Sequence, residues 1–178
     1  MTIKELEQCI SDYGKDIYSF CKYLTKNSAD ADDLYQDTFL LAMEQVERLN
    51  EKDNVKGYLL SAAVKIWHNK IRKKAWRSRI TGGYLLELEK QEIVAVDVGQ
   101  TAEEVYLAAE QRRKIRKEIE NLPDHYRIVV LLYYMQGLGI DEIGRLLSIP
   151  AGTVKSRLHQ ARKKLRRKLV KEKGQFRI

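Results

Sequence analysis

Only two prolines, Pro123 and Pro150, punctuate the 178 residues of this chain. Proline removes a backbone donor and blocks a helix interior. A chain that holds none before Pro123 is therefore open to long helices and poorly suited to short strands joined by tight turns. Its apolar residues follow that opening. Leu6, Ile10, Tyr13, Ile17, Phe20 and Leu24 recur at three- and four-residue steps, which lines one face of a helix. Thr2 and Glu5 ahead of them have the form of a capping box. A second helix is expected from near Asp30, where clustered carboxylates favour a positive helix N-terminus, through Leu34, Leu41 and Met43 to about Leu49. After a polar loop from Asn50 to Asn54, a third runs from about Val55 to Arg79 with Leu59, Ala62, Ala63, Ile66 and Lys70–Ile71 inward.

From Ile80 to Gln100 the periodicity dissolves, beginning at Gly82–Gly83, although Leu85 to Ile93 has room for a short helix. Such a stretch reads as a partly structured linker between domains. Thr101 with Glu104 repeats the capping-box form and opens a helix to about Asn121. Pro123 suits the first turn of the next helix and Gly137 its stop; between them Ile128 to Leu132 is expected to be buried. A short helix from Ile140 to Leu147, a turn at Ser148-Ile149-Pro150 and a long basic helix from about Ala151 complete the chain. The expected fold class is all-α: two small helical domains, a three-helix bundle over 1–79 and a four-helix unit over 101–178, joined by a linker over 80–100.

Several function classes are disfavoured at once. Cys9 and Cys21 are too few for a disulfide framework, and they fall on or beside the apolar face of the first helix, so they are expected as small core residues. The acidic start carries no signal-peptide pattern, and no apolar run approaches the roughly 20 residues of a membrane span. The chain reads as cytoplasmic, with no direct membrane insertion. His68, His125 and His159 are scattered singly and there is no glycine-rich phosphate loop. No enzyme activity, cofactor, metal or small-molecule substrate is expected.

Charge points elsewhere. The net charge is +8, and it is unevenly placed. Acids dominate up to Asp53, whereas bases crowd Lys65 to Arg79 and Lys155 to Arg177. Two separated basic stretches suit two contacts with a polyanion such as DNA; the plainer alternative is a pair of solvated helix faces. The second stretch is the more specific. Two helices joined by a short turn, the second rich in bases, form the helix-turn-helix pattern. Val154, Leu158, Ala161, Leu165 and Leu169 recur at helical steps toward a core, while Lys155, Ser156, His159, Gln160, Arg162 and Lys163 occupy the remaining surface. A recognition helix needs that division, because its donors enter the major groove while its seam holds the domain.

The segment LPDHYRIVVLLYYMQGLGIDEIGRLLSIPAGTVKSRLHQARKKL resembles region four of the extracytoplasmic-function sigma factors of bacterial RNA polymerase. The resemblance rests on Leu122–Pro123, Gly137–Leu138, Asp141-Glu142-Ile143 and the run from Gly152 to Leu158, and it implies binding of the promoter's −35 element through Thr153, Lys155, Ser156, Arg157, His159, Gln160 and Lys163. Gly139, Gly144 and Gln160 depart from residues more usual in the family. The acidic stretch from Asp30 to Leu40 resembles the family's region two, which docks on core RNA polymerase. Here the implied contacts are Asp32, Asp33, Leu34, Gln36, Asp37 and Phe39, with Phe39 or Leu40 as apolar anchor. Asp33, Gln36 and Asp37 share a helix face by spacing.

The third helix is similar to the family's −10 reader, although Tyr58, Lys65 and Asn69 stand where Trp, Asn and Asp are usual. Asn54, Lys56, Tyr58, Lys65 and Arg72 are the implied −10 contacts, since single strands are held by stacking and a cationic groove. Trp67 and Trp76 are expected in the core or an interface, with stacking on bases as the alternative. The resemblance implies three partners: core RNA polymerase, promoter DNA and an anti-sigma factor covering one or both domains. It also implies a role in a stress or envelope response. The alternatives are a helix-turn-helix regulator that binds duplex DNA without polymerase, and an adaptor that binds polymerase but not DNA.

Overall fold

The computed structural model describes residues 1–49, 54–80 and 102–174, and every regular element among them is helical. Helices α1 (Ile3–Thr25), α2 (Ser28–Glu44) and α3 (Val55–Ile80) form the first half; α4 (Ala102–Glu120), α5 (Asp124–Val130), α6 (Ile140–Leu147) and α7 (Ala151–Gly174) form the second. Most of the linker expected at 80–100 lies outside the described residues, as do Thr101 and the loop residues Asn50 to Asp53.

The helix ends have local causes. At α1 the capping box is complete: Glu5 N–H donates to Thr2 Oγ1 at 3.4 Å and Thr2 N–H to Glu5 Oε2 at 2.6 Å. Helix α2 starts at Ser28 because the Asn27 side chain accepts from Asp30 N–H at 2.7 Å, satisfying one of the orphan donors of a first turn. It ends at Glu44, short of the expected Leu49, and a 3₁₀ turn at Val46–Arg48 takes over. Pro123 stands just outside α5 rather than in its first turn, and its carbonyl accepts from Tyr126 and Arg127 N–H, both at 2.9 Å. Helix α5 then widens into a π-helical turn, Leu131–Met135, in which Gln136 N–H reaches back five residues to the Leu131 carbonyl at 3.1 Å. Gly137, at φ +70°, ends it in a conformation that glycine enters at little steric cost.

Leu6, Ile17, Phe20, Leu24, Leu34, Phe39, Leu59 and Ala63 fill the first half, and Ile128, Val129, Leu132, Ile143, Val154, Leu158 and Ala161 fill the second. These residues belong to one contiguous apolar cluster. The two halves are thus packed against each other, with α3 against α6 and α1 against α4 and α5. Polar links cross the same boundary: Ser61 Oγ donates to the Leu146 carbonyl at 3.3 Å and Gln136 Nε2 to the Asp16 carbonyl at 3.3 Å.

At this boundary lies Arg127, whose side chain is 0% exposed. Its Nη1 donates to the carbonyls of Glu120 (3.2 Å) and Leu122 (3.0 Å), which tie down the turn between α4 and α5. Its Nη2 pairs with Asp124 and also reaches the Leu24 carbonyl of α1 at 3.0 Å. That carbonyl belongs to the last turn of α1, where acceptors lack helical partners and the dipole is negative. Arg127 therefore completes the end of a helix in the other half. Burial lowers the pKa of the guanidinium, and Asp124 and Glu120 act against that shift.

The cysteines sit as expected. Cys21 is buried and Cys9 half-buried, and neither is in a disulfide. Burial pushes the Cys21 thiol up to about 12, so little reactive thiolate is present at neutral pH. Iodoacetamide should modify Cys9 in the native protein and Cys21 only on unfolding; equal rates, read by peptide mass spectrometry, would contradict the burial. The sign of the linked stability change follows. Above the ordinary thiol range the unfolded state loses this proton first, so Cys21 lowers stability as pH rises from about 9 toward 12 and has no effect below.

Candidate nucleic-acid and partner interfaces

Helix α2 presents one face outward, and the structure divides its residues sharply. Asp33 and Gln36 are exposed, and Leu40 is 56% exposed, with Met43 beside it on the same stripe. Leu34 and Phe39, expected at the partner surface, are buried, because their positions face α1 and α3. They support the surface from within, and Leu40 is the residue placed to act as apolar anchor. The carboxylates also differ. Asp32 accepts from the Tyr18 hydroxyl at 2.7 Å, a bond that raises the pKa of that tyrosine. Asp37 pairs with Lys70 of α3 at 2.8 Å. Asp33 has no such partner among the described residues, and is left as an open acceptor.

Along α3 the expected −10 residues are placed unequally. Asn54 caps the helix, its Oδ1 accepting Gly57 N–H at 2.8 Å. Lys56 pairs with Asp16 at 2.6 Å, and Tyr58 is half-buried against the core, a burial that raises its pKa. Lys65 and Arg72 are exposed. Asn54 and Gly57 also line an open cleft of about 400 Å³ with Leu138, Glu142, Arg145 and Leu146 of the second half. The basic side of α3 thus begins beside the helix-turn-helix. Trp67 is half-buried against the core as expected, but Trp76 is 64% exposed and belongs to no core.

The helix-turn-helix is built tightly. Ser148 turns the chain at φ 54°, and Ile149 N–H donates to the Gly144 carbonyl at 2.9 Å. A Cβ on Gly144 would meet the Ile149 carbonyl oxygen at 2.9 Å, so this turn closes as it does because residue 144 is glycine. At Gly139 half a capping box survives: Glu142 Oε2 accepts its N–H at 2.7 Å, with no side chain to reciprocate. On α7, Val154, Leu158 and Ala161 are buried while Lys155, Ser156, His159, Gln160 and Lys163 are exposed; Thr153 and Arg157 lie between these classes. The Ser156 hydroxyl donates to the Thr153 carbonyl at 2.9 Å, which leaves its lone pairs outward. Among the described residues no cluster of His, Cys, Asp and Glu is placed to hold a metal, and no helix is long and apolar enough to cross a membrane.

What the residue patterns did not disclose is the burial of Arg127, the Asp37–Lys70 pair and the exposure of Trp76. The run of bases around Trp76, at Lys73, Lys74, Arg77 and Arg79, is a signal that could have found the last of these.

Comparison with known proteins agrees with this layout. The family model for Sigma-70 region 2 matches residues 9–77 and that for Sigma-70, region 4 matches residues 112–165. The chain is 32% identical over 165 residues to the ECF RNA polymerase sigma factor SigW of Bacillus subtilis, covering 90% of this chain and 87% of that one. It is 27% identical to the ECF RNA polymerase sigma factor SigE of Mycolicibacterium smegmatis, covering 95% and 63%. Its fold is similar to that of the sigma factor RpoE, solved in complex with the anti-sigma factor NepR from Bartonella quintana. That likeness has a TM-score of 0.76 at 21% identity and covers 94% of this chain and 98% of that one.

Proposed function

The chain belongs to the extracytoplasmic-function RNA polymerase sigma factors, which direct transcription initiation, and we propose that it divides that task among three surfaces of its own. The exposed stripe of α2, with Asp33, Gln36 and Leu40, binds core polymerase. The basic side of α3 holds the −10 element, and the outward side of α7 reads the −35 element. The observation that carries this reading is the division of α7: a buried seam of Val154, Leu158 and Ala161 backs the exposed Lys155, Ser156, His159, Gln160 and Lys163, the arrangement a major-groove helix requires. The protein works in the cytoplasm, where polymerase and DNA are, and performs no catalysis of its own. An anti-sigma factor is its regulatory partner; the similar RpoE was solved with one.

Run-off transcription with purified core polymerase on a panel of genomic fragments tests the reading. Discrete transcripts that require both proteins are expected. Promoter binding by the chain alone, equal with and without core, would instead favour a stand-alone regulator. The surface on α2 has its own test. Asp33→Lys removes an exposed acceptor and should weaken core binding about ten-fold, which corresponds to about 1.4 kcal/mol. Exposed charge changes alter folding stability by less than about 0.5 kcal/mol, so the melting curve should hardly move. Unchanged affinity in a core titration would remove Asp33 from the interface.

A further inference from the structure

We propose that Trp76 is a second stacking residue of this protein, one that takes an unpaired base of single-stranded DNA at the projecting end of α3. The inference deepens the assignment of α3 to the −10 element and rests on it. Four observations lead there. The indole is 64% exposed, an uncommon position for a residue that gains so much from burial. It lies 18 residues from Tyr58 on one continuous helix. At 3.6 residues per turn that is five full turns, so the two rings share one stripe about 27 Å apart along the axis.

Between them on that stripe Ser61 is half-buried and bonded to the Leu146 carbonyl and Ala62 is buried, whereas Lys65, Asn69 and Arg72, with Arg79 one turn beyond, are exposed. Val55–Ile80 contains no acidic residue. The lysines of this helix that pair with acids, Lys56 and Lys70, do so with Asp16 and Asp37, away from the stripe. Among the described residues Lys65 and Arg79 have no acidic partner. Finally, every residue from Arg72 to Arg79 except Ser78 is exposed, so among the described residues this end of α3 stands clear of the bundle.

The chemistry of the stripe selects the occupant. An aromatic face set among cations that face one way matches the stacking platform and charged track that hold single-stranded nucleic acid. A duplex hides its base faces and would use only the charges. A lipid surface calls for a broad apolar face, whereas Trp76 is flanked by Lys73, Lys74 and Arg77 with only Ala75 beside it. Continuity with the exposed Lys65, Asn69 and Arg72 places the ring on the path of the strand they hold.

The test uses holoenzyme assembled from the full chain and core polymerase. Two probes are compared: forked DNA with a single-stranded oligothymidine arm, and a duplex of equal length. Loss of one base–aromatic stack should make Trp76→Ala bind the forked probe about 5- to 150-fold more weakly, while Trp76→Tyr stays within a few-fold of wild type. Duplex binding and core affinity should be unchanged in both. Equal binding of Trp76→Ala and wild type to the fork overturns the proposal, as does a loss that Tyr fails to restore. A loss on both probes with weakened core affinity would assign the ring to polymerase. A blue shift of indole emission on phosphatidylglycerol vesicles in the wild type, absent in Trp76→Tyr, would assign it to lipid. Lys65→Ala combined with Arg72→Ala separates the two levels of argument. If that double variant loses fork binding and Trp76→Ala does not, only the role of Trp76 fails. If neither does, the assignment of α3 fails with it.

Discussion

Arg127→Ala should destabilise the fold by about 3–5 kcal/mol, through buried carbonyls left without donors and the cavity left by a large side chain. The cost comes mainly from the acceptors left behind. Asp124 keeps 37% of its side chain exposed and can be rehydrated, but the carbonyls of Leu122 and Leu24 lose donors in a buried setting. Each unsatisfied buried group costs about 1–3 kcal/mol, and truncation of a large side chain adds a cavity. For a chain of this length each kcal/mol moves the melting temperature by about 2–4 °C, so a fall of roughly 6–20 °C is expected in a thermal scan. Arg127→Lys should recover only part of it, since one ammonium cannot fork to acceptors on both sides of a helix junction. A fall of less than about 2 °C for the alanine variant would show that the carbonyls are satisfied without the guanidinium.

Gln160→Arg should change which base is preferred at one −35 position by about 1–3 kcal/mol, the discrimination of a good bidentate contact. The Gln160 amide is exposed on the side of α7 opposite its buried seam. An amide donates from nitrogen and accepts at oxygen, which matches the edge of adenine; a guanidinium only donates and matches the two acceptors of guanine. Lys163→Ala serves as the contrast. A lysine on a phosphate has no sequence preference, so its loss should weaken all promoters alike and reduce the salt slope by about one ion. The measurement is transcription by holoenzyme from a library carrying every base at each −35 position. An unchanged preference profile for Gln160→Arg, with promoter binding retained, would place the residue off the base edges.

Both predictions bear on what the residues alone disclosed. The helical layout was legible because it is local: the box at Thr2 and Glu5, the stop at Gly137 and the turn at Ser148 to Pro150 each depend on neighbours a few residues apart. The seam of α7 was legible for the same reason, since period alone separates Val154, Leu158 and Ala161 from Gln160. Arg127 was not. Arginine is ordinarily exposed, and its burial here depends on the Leu24 carbonyl more than a hundred residues away. The face of α2 was half legible. Its acids were visible, but the choice of Leu40 over Phe39 as the outward residue depends on the angle at which α1 and α3 pack on it. The pairing of Asp37 with Lys70 likewise exists only once α2 and α3 are side by side.

The apolar cluster shared by the two halves has a thermodynamic consequence that follows from chain connectivity. Two surfaces on one polypeptide meet at an effective concentration on the order of millimolar, because neither can diffuse away. A contact whose dissociation constant as separate fragments was itself near millimolar, equivalent to about 4 kcal/mol, would then be closed about half the time. Anything that grips the facing sides of α3 and α6 meets a rival already present at that concentration, in addition to whatever else is in solution. The measured affinity for any ligand that needs the halves apart is therefore its intrinsic affinity reduced by the closed fraction, and weakening Ser61 or Gln136 at the boundary tightens that binding without touching the ligand.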